Sequence, residues 1–185
     1  MKHELISGHE QMDISIAPTD IFPWNENFST GLSVIDVQHR KLVELLNKLA
    51  SHLAYGKDIP ELNTVFGELT DYAQYHFKTE EGVWGKYLPE DELTAKHAKT
   101  HQEFVTEILD LRGKQDTLAN EQVIEEIVIF LTHWLAFHIL DADKHMAKIV
   151  LAIQLGGLTL DEAKDKARVE MSGSMRLLIE TLLGY

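Results

Sequence analysis

Apolar residues recur along four segments of this chain at alternating steps of three and four, which is the spacing of one buried helix face. Within three of the four faces, and at the end of the fourth, histidine or glutamate takes the place of an apolar residue. The face positions are Ile35, His39, Leu42, Leu46, Leu49 and Leu53; Leu62, Phe66, Leu69, Ala73, His76, Glu80, Val83 and Tyr87; Leu93, His97, His101, Phe104, Ile108 and Leu111; and Ile127, Phe130, Leu131, Trp134, Leu135 and His138. Four such segments joined by short connections predict an all-α protein, an antiparallel up-down-up-down four-helix bundle.

Capping and helix-breaking residues set the bounds of the predicted helices. Ser33 and Asp36 resemble a capping box at the start of the first helix, and Leu88-Pro89 separates the second helix from the third. Gly156-Gly157 ends the fourth. The predicted helices run from about 33 to 56, from about 58 to 86, from about 91 to 113, and from 117–121 to about 155.

The segments that flank the bundle differ from it in pattern. Residues 1–22 are polar and lack a sustained helical period, so we expect an N-terminal arm in which His3 and His9 are exposed. The bundle itself is predicted to occupy residues 23–150.

Residues 151–185 are predicted to form a C-terminal extension of appended helices. Thr159 and Glu162 make a second capping box, which starts a short helix. The sequence Ser172-Gly173-Ser174 is expected to separate this helix from a last apolar one.

The 185-residue chain carries 17 basic and 30 acidic side chains, a formal charge of −13. This charge repels nucleic acid and anionic lipid, so neither is an expected partner.

No stretch matches the ~20 apolar residues of a membrane span, and the first residues lack a secretory signal pattern. The absence of cysteine excludes disulfides and thiolate metal sites, and it fits the cytoplasmic location that we expect.

Buried histidine and glutamate are the feature with the most chemical content. Each unpartnered buried polar group costs roughly 2–7 kcal/mol, whereas a domain is stable by only about 5–15 kcal/mol. Metal ions satisfy several imidazole nitrogens and carboxylate oxygens at once. The pairs His76/Glu80 and His97/His101, each four residues apart, project two donors from one helix face. Adding one histidine from each of the other two helices, His39 and His138, gives five imidazoles and one carboxylate. This set is larger than one ion would use, so we predict a two-metal site.

Over residues 22–150 the chain resembles the bacteriohemerythrins, which are oxygen-binding four-helix bundles with a non-haem di-iron centre. The resemblance rests on the segments PWNENFSTGLSVIDVQH, HFKTEE, HAKTH and WLAFHILDAD, in that order. It implies reversible binding of dioxygen at an iron that five histidines leave five-coordinate. The ligands that it implies are His97, His101 and His138 for one iron, His39 and His76 for the other, and Glu80, Asp143 and an oxo or hydroxo group as bridges.

The same resemblance implies an oxygen pocket walled by Trp134, Leu135 and Ile139. Reversible binding requires such a pocket to be dry and closed. Packing in the core explains these three apolar side chains equally well. The remaining histidines of the bundle region are expected at the surface or behind the ligands: His52, His133 and His145.

Helix geometry and the resemblance disagree about the second carboxylate. Asp143 lies five residues after His138, where an ideal helix has turned by roughly 140°, whereas Asp141 continues the apolar face. The resemblance selects Asp143. A local i to i+5 widening of the helix reconciles the two, and we therefore predict Asp143 rather than Asp141.

The type of ligand leaves zinc and manganese open, and the choice of two iron ions comes from the resemblance. Ferritin-like oxidases use Glu-x-x-His pairs, and no glutamate stands three residues before a histidine here. We therefore expect oxygen binding rather than turnover, and no enzyme activity in this chain. A stand-alone oxygen carrier or store and a peroxide or nitric oxide reductase are the alternatives.

Residues 150–185 resemble the stretch that follows hemerythrin domains in diguanylate cyclases. The Gly-Gly-Asp-Glu-Phe signature of the cyclase is not in this sequence. The resemblance implies an oxygen or redox sensor that regulates a fused or associated cyclase, which is not part of this sequence. A helical cap or a homodimer contact through the C-terminal helices, without signalling, is the alternative for this extension.

Overall fold

The structure, a computed structural model, describes residues 20–55, 59–114 and 120–183. A short 3-10 helix, Glu26–Phe28, precedes the first long helix, and a π-helical segment, His138–Asp143, joins two others without a break. The α-helices are α1 (Ser33–Ala54), α2 (Ile59–Tyr87), α3 (Glu92–Gly113), α4 (Asn120–Phe137), α5 (Lys144–Gly156) and α6 (Leu160–Leu183).

The first four of these helices form the predicted bundle. Helix α1 packs against α2 and α4, and α3 packs against the same two helices from the other side. The fourth member is continuous from α4 through the π-helical segment into α5. The prediction of an all-α four-helix bundle is confirmed.

The core of the bundle consists of two apolar clusters with buried polar residues between them. On α1, His39 lies between Ile35 of one cluster and Leu42 of the other. On α2, His76 and Glu80 precede Trp84, which belongs to the same cluster as Ile35. We call the buried histidine, glutamate and aspartate side chains between the clusters the polar layer; its members are His39, His76, Glu80, His97, His101, His138 and Asp143.

The predicted capping box at Ser33 is wrong. The residue that caps α1 is Leu32, which makes no side-chain cap bond. Asp36 instead binds the preceding loop, where it accepts hydrogen bonds from the Ser29 hydroxyl at 2.6 Å and from the Thr30 N–H at 2.7 Å. A carboxylate in the first helical turn reaches backward to these donors, so the loop and the helix start are held by one side chain.

The second predicted capping box is confirmed. Glu162 accepts from the Thr159 N–H at 2.9 Å, and its own N–H donates to the Thr159 hydroxyl at 3.4 Å. The helix that begins there, α6, packs along α5 through Ala163 and Ala167, both fully buried.

The break predicted at Ser172-Gly173-Ser174 is wrong, because α6 continues through it to Leu183. One glycine inside a helix costs only about 1 kcal/mol relative to alanine, and strong helix formers lie on both sides. The appended part is therefore one long helix in the described chain.

Most of the predicted N-terminal arm, with His3 and His9, lies outside the described residues. Of its last three residues, Phe22 is buried and its N–H donates to Asn47 Oδ1 at 3.0 Å. The domain bounds proposed from the sequence stay a prediction.

The stretch Glu121–Gly156 is long and apolar enough to cross a membrane by length and composition alone. In its most apolar window 44% of the residues are buried, and the stretch carries two members of the polar layer. A core helix of a bundle can be equally long and apolar, so length and composition are weak evidence for a membrane span.

Candidate metal centre

Glu80 directs its two carboxylate oxygens to two different groups of histidines. Its Oε1 lies 3.5 Å from His76 Nε2 and 3.7 Å from His39 Nε2. Its Oε2 lies 3.2 Å from His101 Nε2 and 3.7 Å from His138 Nε2. One side chain at the centre of α2 therefore faces both halves of the polar layer.

Asp143 makes a second connection of the same kind. Its Oδ2 lies 3.2 Å from His39 Nε2, while its Oδ1 lies 2.8 Å from His97 Nε2 and 3.2 Å from His138 Nε2. The two halves of the layer thus share two carboxylates.

The π-helical segment brings Asp143 into the layer. Its wider turn places residues five apart, here His138 and Asp143, on the same face of the helix. Asp143 is fully buried, whereas Asp141 is exposed and lines an outer cavity. The structure therefore places Asp143 in the layer and Asp141 outside it, as predicted; that Asp143 is a ligand stays a prediction.

Atoms without a hydrogen-bond partner are concentrated in this layer. They include both ring nitrogens of His39, Nε2 of His76, both oxygens of Glu80 and Oδ2 of Asp143. The donor atoms fall into two groups in which all atoms lie within 4.8 Å of one another: Glu80, His97, His101 and His138; and His39, His76, Glu80 and Asp143. Because buried polar atoms are normally satisfied, the layer fits two cations held by nitrogen and oxygen.

The two carboxylates of the layer carry the charge that suits cations. Burial by itself raises the pKa of the Glu80 and Asp143 carboxyls, yet the surrounding imidazoles hold both below their ordinary values. Burial lowers the pKa of His76 to about 4. At His39 burial acts in the same direction, but Asp143 and Glu80 outweigh it and raise the pKa to about 9.

Aromatic rings enclose the histidines. Phe77 stacks on His101, with ring centroids 3.9 Å apart, and Trp134 stacks on His138 at 4.1 Å. Trp84 lies edge-on to His97 at 5.9 Å. These contacts cover faces of the imidazole rings and hold their planes.

Two of the three predicted pocket residues, Trp134 and Leu135, line a cavity of about 20 Å³. The third, Ile139, is fully buried in the same apolar cluster but does not line the cavity. The other lining side chains are all apolar: Leu42, Leu46, Leu69, Ala73, Phe77, Phe104 and Leu131.

Sequence reasoning missed the residues that hold the outer nitrogens of two histidines. His76 Nδ1 lies 3.0 Å from Gln38 Oε1, and His101 Nδ1 lies 3.0 Å from Glu81 Oε1. Gln38 and Glu81 are direct neighbours of His39 and Glu80 along the chain, which is the one signal the sequence offers for them.

None of the other described histidines belongs to the two donor groups. His133 is exposed, and His52 and His145 are partly exposed. Burial lowers the pKa of His145.

Comparison with known proteins agrees with this geometry. The family model of the hemerythrin HHE cation binding domain matches residues 30–150. A bacteriohemerythrin of Clostridium acetobutylicum is 28% identical over 127 residues, which are 67% of this chain and 97% of that protein. A bacteriohemerythrin of Pseudomonas aeruginosa is 33% identical over 65% of this chain and 75% of its own length.

A hemerythrin-like protein of Naegleria gruberi is 30% identical over 66% of this chain and 87% of its own length. The matched region contains all seven residues of the polar layer. The chain therefore belongs to the hemerythrin family of cation-binding domains.

Proposed function

We propose that this chain binds dioxygen reversibly at a di-iron centre in the polar layer. One iron would be held by His97, His101 and His138, the other by His39 and His76, with Glu80 and Asp143 spanning both. The observation that carries the proposal is that each of these carboxylates faces histidines of both groups inside an apolar core. When bound, two iron ions supply the reversible two-electron exchange with dioxygen that side chains lack.

The side chains around the layer select a small apolar ligand. The cavity of about 20 Å³ shares Phe77 and Trp134 with the layer, where they stack on His101 and His138. A lining without charged or polar side chains favours dioxygen over water and anions. Exclusion of water also protects a bound ligand from proton-driven loss, which supports binding rather than turnover.

Oxygen binding is tested by loading the metal-free chain with iron(II) without oxygen. We expect two iron ions per chain by elemental analysis and a new visible absorption band on oxygenation that reverses under argon. A folded, helical protein that takes up no stoichiometric transition metal would refute the centre. Sustained oxygen or peroxide consumption with an electron donor would identify a reductase instead.

We further propose that the chain uses this centre as an oxygen or redox sensor. Asp143 directly precedes Lys144, the first residue of α5, and α5 packs along α6. A shift of Asp143 would thus be passed along α5 and across its packed contact to α6. The resemblance of this extension to linkers of diguanylate cyclases makes such a cyclase the proposed effector.

Signalling requires that the two arrangements of α6 differ in their affinity for the ligand. Hydrogen exchange in residues 160–183 is therefore expected to differ between the oxygen-free and the oxygenated protein. Identical protection would remove the sensor role and leave a carrier or store.

A further inference from the structure

The outer nitrogens of His76 and His101 face acceptors of different charge. His76 Nδ1 lies 3.0 Å from the amide oxygen of Gln38, and His101 Nδ1 lies 3.0 Å from a carboxylate oxygen of Glu81. The inner nitrogens of both rings face Glu80, at 3.5 Å and 3.2 Å. Two rings in equivalent positions thus differ in what stands behind them.

A chain of hydrogen bonds fixes the amide of Gln38. The Thr79 hydroxyl donates to the Tyr75 carbonyl at 3.1 Å, so its oxygen accepts from Gln38 Nε2 at 3.2 Å. The amide oxygen of Gln38 therefore points to His76, which donates from Nδ1 and keeps the lone pair of Nε2 for the polar layer. The acceptor behind His76 is neutral and 5% exposed.

The corresponding acceptor behind His101 is charged and open to solvent. The side chain of Glu81 is 42% exposed, while that of His101 is 3% exposed. Both residues line an outer depression of about 340 Å³, and Phe77 holds the plane of the His101 ring by stacking. Glu81 therefore reaches from the surface to a ring whose other edge lies inside the core.

We propose that Glu81 is a positioning residue that strengthens His101 as a metal donor. A carboxylate behind a ligating imidazole fixes its tautomer and raises its basicity more than a neutral amide does. The ion held by His97, His101 and His138 is then bound more tightly, and is harder to reduce, than it would be with a neutral acceptor such as Gln38. This inference rests on the proposed di-iron centre.

Single variants of the full chain test this. Glu81→Gln removes the charge but keeps the shape, and Gln38→Glu places a carboxylate behind His76. Glu103→Gln is the matched control, because it removes one charge from the neighbouring helix, where Glu103 is 61% exposed and pairs with Lys99. Each protein is loaded with ⁵⁷Fe(II), and iron release to a chelator, the midpoint potential and the Mössbauer spectrum are measured.

In E81Q we expect one of the two irons to be released to the chelator at roughly 10- to 100-fold lower competitor concentration, the range typical of such partners. The midpoint potential rises, and one of two iron signals in the Mössbauer spectrum changes. Q38E shifts the potential in the opposite direction, and E103Q matches the unmodified chain.

The proposal is overturned if E81Q behaves like E103Q while the unmodified chain holds two irons; the proposed function then stands. Failure of the unmodified chain to hold iron refutes the proposed function itself. Glu81→Asp, which keeps the charge, is expected to restore the potential at least in part. Equal loss of helix content and of both irons in E81Q and E81D would show a structural role and also overturn the proposal.

Discussion

His97 Nε2 lies 2.8 Å from Asp143 Oδ1, and this contact joins α3 to the π-helical segment of the fourth bundle member. An ideal α-helix would turn a residue at this position away from the histidines. The irregular turn is therefore the local feature that completes the polar layer. It also explains why the nearer Asp141 is left at the surface.

Asp143→Asn tests whether this carboxylate holds metal. The variant keeps the shape of the side chain and removes its charge. We expect metal binding to weaken by at least roughly tenfold, because even partners behind a ligand contribute 10- to 100-fold. Metal content after dialysis against a chelator measures the effect.

Asp141→Asn is the matched control, since it removes the same charge two residues away in an exposed position. It should retain metal like the unmodified chain. Equal retention by both variants would exclude Asp143 as a ligand.

Much of the layer could be predicted from helical periodicity, because its histidines and Glu80 replace apolar residues at regular steps. The same periodicity failed where it was extended along α2. The buried residues there are Trp84 and, directly after the helix, Leu88, whereas Val83 and Tyr87 were predicted and are only partly buried. An α-helix has 3.6 residues per turn, so a strict heptad pattern drifts around the helix by about 20° per repeat.

Helical periodicity could not predict other features of the structure, for different reasons. The partners of His76 and His101 are polar residues of ordinary kinds, and only the packed helices show that Gln38 and Glu81 reach the rings. The cap of α1 depends on a loop conformation in which Gly31 has a φ of +85°. Hydrophobic patterning carries no information on such a loop.

Asp36→Asn is expected to destabilise the fold by about 1–2 kcal/mol at neutral pH, because it weakens hydrogen bonds to a charged acceptor. Asp36 accepts hydrogen bonds from the Ser29 hydroxyl and from the N–H groups of Thr30 and Gly31. Burial raises its pKa, but these bonds outweigh burial and lower the pKa below 3.8. Urea unfolding of the two proteins gives the difference in free energy.

The sign of the pH dependence follows from the lowered pKa. The stabilisation by Asp36 is complete above the unfolded value of 3.8 and is lost as the pH falls through the folded value. The difference between D36N and the unmodified chain should shrink below about pH 4. Glu44→Gln is the control at neutral pH: it removes a charge from an exposed ion pair on α1 and should cost less than about 1 kcal/mol.

Bound metal is expected to leave the centre as the pH falls below about 6.5, the ordinary pKa of imidazole. Protons compete with the metal for the ring nitrogens of the histidine ligands. Iron content after exchange into buffers of decreasing pH records the transition, and circular dichroism follows the fold. Full retention down to about pH 4 would contradict a centre with five histidine ligands.

Metal binding should stabilise the bundle, because it satisfies the unpartnered atoms between the two apolar clusters. A metal that binds only the folded chain adds about 2.7 kcal/mol at a concentration 100 times its Kd. Thermal unfolding with and without a chelator measures this. An unchanged midpoint would mean that the ions are bound outside the layer.

Ala167→Leu is expected to detach α6 without emptying the metal centre. Ala167 is fully buried against α5, and a larger side chain in a close-packed contact costs about 1–3 kcal/mol. Because Lys164 still pairs with Asp91 at 2.8 Å, the start of α6 stays near the bundle and its later turns loosen. Hydrogen exchange in residues 165–183 should accelerate, while metal content stays that of the unmodified chain.

Val169→Ala is the control for this variant, since Val169 is 74% exposed on the same helix. It should leave exchange unchanged. If α6 carries the signal, A167L also removes the difference in exchange between the oxygen-free and the oxygenated protein, although oxygen still binds. A difference that persists in A167L would show that the contact between α5 and α6 does not transmit the state of the centre.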